Sequence, residues 1–298
     1  MSLLSKIYKY IWPEMRKKRT LFFAAIGFFV IRLILGAILR PLYFKSVIDI
    51  LSKNNFVLVN RNDLFFAVMI VAILSLVALI FGRMSRFCFF IFNAETVKNL
   101  RNMSFQKIEN NSYSFFANSF AGSLVSKSKK LIGSFERMSE ISIYNFVNFI
   151  VVLIGTLIVL ILQSVIIGLI FLGFVLFSIL MMSFLLKKKM KYDILASNQD
   201  SKISGRLADV FGNILAIKFF SAKDQEINSF AKYTEESARR DKQSLFWSGR
   251  IEVFQGLLTT IVQTILLFVM AYLWLDGRIS TGLFVLVNLY MTIIGDLL

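Results

Sequence analysis

Six stretches of the chain, near 20–44, 64–92, 141–162, 165–186, 251–274 and 281–298, are apolar over lengths that a soluble core helix has no use for. A helix rises about 1.5 Å per residue, so roughly 20 residues cross the hydrocarbon core of a bilayer. Inside hydrocarbon, backbone amides must find partners within their own segment, and a single long apolar run can do so only as a helix. Composition agrees. Of 298 residues, 57% are apolar and 17% charged, with a mean hydropathy of +0.69, whereas a soluble domain carries about a quarter charged residues. The expected fold class is an all-α membrane protein with six transmembrane helices.

The net charge of +16 would suit a nucleic-acid binder if it lay on one hydrophilic face, but its placement excludes that partner. Lys and Arg number six in residues 1–19, seven in 93–140 and thirteen in 187–250; the other three connections hold three, none and one. Four more, Arg32, Arg40, Arg83 and Arg86, lie inside spans. Such sorting onto alternate loops is the positive-inside pattern, with the N-terminus and both long loops cytoplasmic. One Cys and no His leave no basis for a disulfide framework or a soft-metal site. Cys88 reads as a small buried apolar residue. The first apolar run is too long for a signal peptide and lacks an A-x-A-like cleavage site, so it is expected to stay as a span.

Gln163-Ser164 is almost the whole connection between spans three and four, which makes them a tight helical hairpin. The 93–140 and 187–250 segments are long, charged and free of proline. Structureless loops of that length are uncommon, so both read as long cytoplasmic helical extensions of the spans, each with one turning point. At the first, Tyr113, Phe116, Phe120 and Leu124 recur at helical spacing in "NNSYSFFANSFAGSL", and Gly122 marks where the chain could leave that helix. At the second, "GRLADVFGNILAIKFF", Leu207, Val210, Phe211, Ile214 and Ile217 share one helical face. Two short amphipathic helices are expected there, seated either in a groove of another protein or on neighbouring helices of this chain. Residues 1–19 set Leu3, Leu4, Ile7, Tyr8, Ile11 and Trp12 against Lys6, Lys9 and Arg16 to Arg19. This reads as an amphipathic N-terminal helix on the inner leaflet, turning into span one after Pro13.

Polar residues within spans are candidates for a substrate pathway, because hydrocarbon offers them no partner. Glu252, Gln255, Thr259 and Gln263 form one stripe, and Asn288, Thr292 and Asp296 another. Arg32, Gly36 and Arg40 share a face of span one, and Asn145 and Asn148 mark the start of span three. These groups either line a water-filled cavity or bond helix to helix. Arg83 and Arg86 are expected to bond lipid headgroups or loop carboxylates, and "KKKMK" at Lys187 to Lys191 reads as a solvated stop.

Four motifs in order then resemble the transmembrane domain of ABC exporters. "LRPLYFKSVIDIL" supplies Pro41 and Asp49; "FFANSFAGSLVSK" supplies Phe115, Phe116, Asn118, Gly122 and Ser126. "ADVFGNILAIKFFSAKDQEINSF" supplies Asp209, Asn213, Ile217, Lys218, Phe219 and Glu226, and "DGRISTGLF" supplies Gly277, Ser280 and Gly282. Lys127 stands where the family usually has arginine, and Leu131 near where an acidic residue often follows. The resemblance covers essentially the whole chain and implies two short coupling helices that fit grooves of an ATP-binding domain. It assigns that role to Tyr113, Phe115, Phe116, Asn118, Phe120 and Gly122 in the first, and to Leu207, Asp209, Phe211, Asn213 and Ile214 in the second.

By the same resemblance, residues 20–298 are the transmembrane domain behind the N-terminal helix of residues 1–19. Its partners are an ABC ATP-binding domain, a second transmembrane half (homodimer or heterodimer) and membrane lipids. The chain has no G-x-x-x-x-G-K-[ST] phosphate loop, so it is expected to hold no catalytic residue, cofactor or metal of its own. ATP and Mg would enter through the partner domain. Asp296, two residues from the end at membrane depth, favours the N-terminal part of a longer polypeptide over a separate subunit. The expected function is ATP-driven export of an unidentified substrate by alternating access, as a multi-pass protein of a bacterial inner (plasma) membrane. A proton-driven carrier, with Glu252 and Asp296 as its proton sites, and a non-transporting scaffold are the alternatives.

Overall fold

The computed structural model describes residues 12–52, 61–117, 121–221 and 223–297, which are almost wholly helical, with no strand among them. Helix α1, Arg19–Leu33, passes through a wide π-helical turn, Ile34–Leu39, into α2, Arg40–Leu51. There follow α3, Arg61–Glu109, the short α4, Tyr113–Ala117, and α5, Ala121–Glu140. A second wide turn, Ile141–Val147, joins α5 to α6, Asn148–Gln163. The remainder is α7, Val165–Gly212; the short α8, Ile214–Phe219; α9, Lys223–Leu275; and α10, Thr281–Gly295.

Five continuous helices are long and apolar enough to cross a membrane: Arg19–Leu51, Arg61–Glu109, Ser128–Gln163, Val165–Gly212 and Lys223–Leu275. The sixth expected span coincides with α10, which is apolar but only 15 residues long. The long segments 93–109 and 187–212 are helical as their lack of breakers implied. With 49, 48 and 53 residues, α3, α7 and α9 each reach roughly 70–80 Å, more than twice a bilayer core. At the N-terminus residues 1–11 lie outside the described residues and 12–16 are helical. The chain turns at Lys17–Lys18 rather than at Pro13, with Lys18 at φ −124° and ψ 30°.

The first wide turn has a visible cause. Pro41 sits inside an otherwise continuous helix, where it lacks an N–H for the Ala37 carbonyl and its ring crowds that oxygen. The helix relaxes by widening in the turn before it, and the N–H of Arg40 reaches back to the carbonyl of Leu35. Neither Pro nor Gly falls in the second wide turn, "ISIYNFV".

Two compact units divide the chain. One comprises residues 1–168 with Val269–Leu297, the other Leu169–Phe268. In the first, α1 packs along α3, α2 on α3 and α10, and α6 on the first wide turn. Ala25 is fully buried in that packing and lets α3 approach closely enough for Ser85 Oγ to donate to the Ala25 carbonyl at 2.8 Å. Phe29 and Phe89 each meet Tyr144 edge-on. In the second unit, α7 and α9 are clasped along their polar lengths. Gln199 Nε2 donates to the Tyr233 carbonyl at 3.2 Å, Arg206 pairs with Glu226, and Ser244 Oγ donates to Asp193. Tyr192 stacks on Trp247. Large apolar side chains such as Phe65, Leu76, Leu180 and Phe268 stand exposed on the outer faces of these helices, the arrangement that lipid requires and water penalises.

Candidate functional site

Two of the four sequence motifs meet in space. Helix α10 begins after Ser280, an N-capping residue type whose own hydroxyl caps nothing in its helix. Asp49 of α2 supplies the cap instead: its Oδ1 accepts the N–H of Gly282 at 2.6 Å, and its Oδ2 accepts Ser280 Oγ at 2.9 Å. Lys45 Nζ, one turn earlier on α2, pairs with the same carboxylate at 2.8 Å. The carboxylate thus faces the positive end of the α10 dipole and carries its own counter-ion. Gly282 is required by this approach, since a Cβ there would collide with the Lys45 carbonyl oxygen and the Asp49 carboxylate. Gly277 explains the turn before it. It lies at φ +69°, and Gly277 N–H to the Trp274 carbonyl with Arg278 N–H to the Leu273 carbonyl close α9 in a Schellman motif.

A cavity of about 1170 Å³ opens in the first unit, bordered by α1, both wide turns, α3, the end of α5 and the end of α10. Arg32, Asn145 and Asn148, predicted as pathway residues, line it together with Gly36, Arg40 and Asp296. Its polar lining includes Ser75, Arg83, Arg86, Arg137, Glu140 and Tyr144. Arg83 and Arg86 therefore border the cavity; among the described residues neither pairs with a carboxylate, so of the two expected partners the loop carboxylates are not found. Arg32 lies over the Phe29 ring at 5.5 Å and Arg86 over Tyr144 at 5.9 Å. Gly82 makes room for the Arg32 stem, whose Cδ would sit 2.7 Å from a Cβ at that position. Both wide turns border the cavity, and the second presents Ile141, Tyr144 and Asn145 to it.

The other predicted pathway residues lie elsewhere. Glu252 and Gln255 border a shallow hollow of about 180 Å³ in the second unit, beside Leu186, Lys189, Ser248 and Ile251. Thr259 and Gln263 continue their stripe half-buried along α9. Asn288 and Thr292 occupy the exposed face of α10, Thr292 Oγ1 donating to the Asn288 carbonyl, while Leu286, Val287, Tyr290 and Met291 fill the buried face.

Both predicted turning points are helix breaks, differently cut than the spacing suggested. The first holds only Tyr113–Ala117 in α4; Asn118 and Phe120 lie outside the described residues, and Gly122 begins α5 rather than ending the helix before it. At the second, α7 runs on to Gly212 and the break falls at Asn213, whose N–H and Nδ2 both donate to the Asp209 carbonyl. Leu207, Asp209, Val210 and Phe211 thus end α7, while Ile214 and Ile217 belong to the separate α8. The α8 turn closes at Ser221 with φ +51°. Tyr113, Phe211, Leu215, Phe219 and Phe220 stand exposed, so each tip displays aromatic surface.

The residues missed in the sequence are the cavity arginines on α3 and α5 and the partnership of Asp49 with α10. The four motifs were the available signal for the second, since they set Asp49 and Gly282 on record without joining them. A comparison with curated proteins returns no match. The family model described as the ABC transporter transmembrane region matches residues 23–298, and the chain therefore belongs to the family of ABC transporter transmembrane regions, as an integral membrane protein.

Proposed function

We propose that this chain is the membrane-crossing half of an ABC exporter, with six spans, a cytoplasmic N-terminus, and α4 and α8 as coupling helices. It works beside a second transmembrane half and is driven by ATP-binding domains on the same longer chain or on a partner. One observation carries this reading: each pair of long helices, α3 with α5 and α7 with α9, ends in a short helix displaying exposed aromatic side chains. Exposed aromatic surface at the end of a stiff helical arm favours a protein groove, and the basic residues on the arms favour the cytoplasmic side. α10 completes the six spans, short as it is, with its N-terminus tied to α2 by Asp49. Helices α3 and α5 run from the α4 tip to the cavity lining, so a partner that binds two arrangements of that tip differently shifts the cavity between them.

Cysteines placed at Tyr113 and Phe211 should crosslink to the ATP-binding domain in native membranes. Tyr113→Ala combined with Phe211→Ala should leave basal ATP hydrolysis in place and abolish its dependence on transported substrate. Normal substrate-stimulated turnover in that variant would refute the coupling role.

A further inference from the structure

The cavity of the first unit has a chemical bias that the transport reading leaves unspecified. Five guanidiniums, those of Arg32, Arg40, Arg83, Arg86 and Arg137, border it against two carboxylates, Glu140 and Asp296. None of the five is in an ion pair among the described residues. Arg32 also feels the charges of Arg86 and Arg40, so the protein gathers like charges at one place without neutralising them. Arg32 lies 13 residues after Arg19 along one helix, roughly 20 Å in from its start. A cation at that depth is costly unless something anionic meets it. The same lining includes an apolar wall of Leu33, Ala37, Val152 and Ile293.

We infer that this cavity binds an amphiphile with a phosphate headgroup, the phosphate held between Arg32 and Arg86 and the hydrocarbon against the apolar wall. The inference rests on the transporter reading and names its substrate class. Planar guanidiniums match phosphate oxygens in pairs, which a lysine cluster does not. Free inorganic phosphate would satisfy the arginines but leave the wall and most of a cavity of about 1170 Å³ unused. A lipid-like molecule uses both.

The test keeps the protein in its native assembly, in phosphatidylcholine nanodiscs, with a trace of spin-labelled phosphatidic acid or spin-labelled phosphatidylcholine. Phosphatidic acid should be immobilised about tenfold more strongly than phosphatidylcholine, the difference expected for a charge-assisted contact. Arg32→Gln with Arg86→Gln should erase the preference, while Arg32→Lys with Arg86→Lys, which keeps the charge, should retain part of it. Equal immobilisation of both lipids by the native protein, or an unchanged preference in the glutamine pair, overturns the inference. Displacement of phosphatidic acid by equimolar glycerol 3-phosphate also overturns it, because the site would then serve a soluble phosphate. The readout uses no ATP. Absence of the lipid preference in the native protein with tip crosslinks intact counts against the headgroup alone, and absence of crosslinks with the native preference present counts against the transport reading alone.

Discussion

Asp49 shows how much one side chain can settle. It caps a helix through the N–H of Gly282, 233 residues later in the chain, pairs with Lys45, and fixes the approach of two helices at that glycine. Asp49→Ala removes the cap and leaves the Gly282 N–H without its acceptor, and should cost about 1–3 kcal/mol. Asp49→Asn, which keeps one carbonyl oxygen for that N–H, should cost less. Thermal unfolding in detergent separates the two, and equal losses would show that the cap contributes nothing beyond charge. Ser280→Ala added to Asp49→Ala should be nearly silent, since the hydroxyl's acceptor is already gone. None of this pairing was legible beforehand. Periodicity reports which face of one helix is apolar, not which distant helix end a carboxylate will meet.

Gly155 and Gly282 are close-approach residues of different tolerance, and the elements they touch decide it. A Cβ at Gly282 meets backbone, which cannot retreat, whereas one at Gly155 meets the far end of Ile38 in the first wide turn. That turn is held from the other side as well, by Tyr290, fully buried, donating its hydroxyl to the Ile38 carbonyl at 2.8 Å. Gly282→Ala should therefore cost about 1–3 kcal/mol whatever accompanies it, as overpacking does. Gly155→Ala should be relieved in part by Ile38→Val, which removes the Cδ1 that a Cβ would meet at 2.0 Å but leaves Cγ1 at 2.8 Å, and a double-mutant cycle reading additive losses would contradict this. On α7 and α9 the Arg206–Glu226 pair, with both side chains 27% exposed, holds the arms together near the α8 tip. Arg206→Glu should loosen the tip by about 0.5–1 kcal/mol, and adding Glu226→Arg should restore it. Amide hydrogen exchange across 206–226 reads both, and a double variant as loose as the single would remove the pair from the account. The long helices themselves were legible in the sequence, because 93–109 and 187–212 offer no Pro and little Gly to stop them. The wide turn at 141–147 was not, since its residues are ordinary helix formers for a span.

At the scale of the whole molecule, the proposed orientation rests on charge sorting. Arms bearing most of the Lys and Arg are costly to translocate, so the proposed orientation keeps the basic loops inside and brings the short connections at Ser164 and Arg278 outside. The cavity arginines depend on the same choice. With the N-terminus inside, as proposed, Arg137 and Glu140 would stand toward the cytoplasm and Arg32 toward the bilayer centre, and the inferred anionic headgroup would then enter from the inner leaflet. Replacing Cys88, the chain's single cysteine, by serine leaves a background on which one cysteine at a time reports its side. In right-side-out vesicles, Ser164→Cys and Arg278→Cys should react with a membrane-impermeant maleimide, and Tyr113→Cys and Phe219→Cys only after permeabilisation. Tyr113 is 89% exposed and Phe219 82%, so failure of either to label in sealed vesicles cannot come from burial within the chain. Labelling of both tips from outside would invert the topology. It would also carry the basic arms across the membrane, which the positive-inside distribution opposes, and would place the aromatic tips where no ATP-binding domain works.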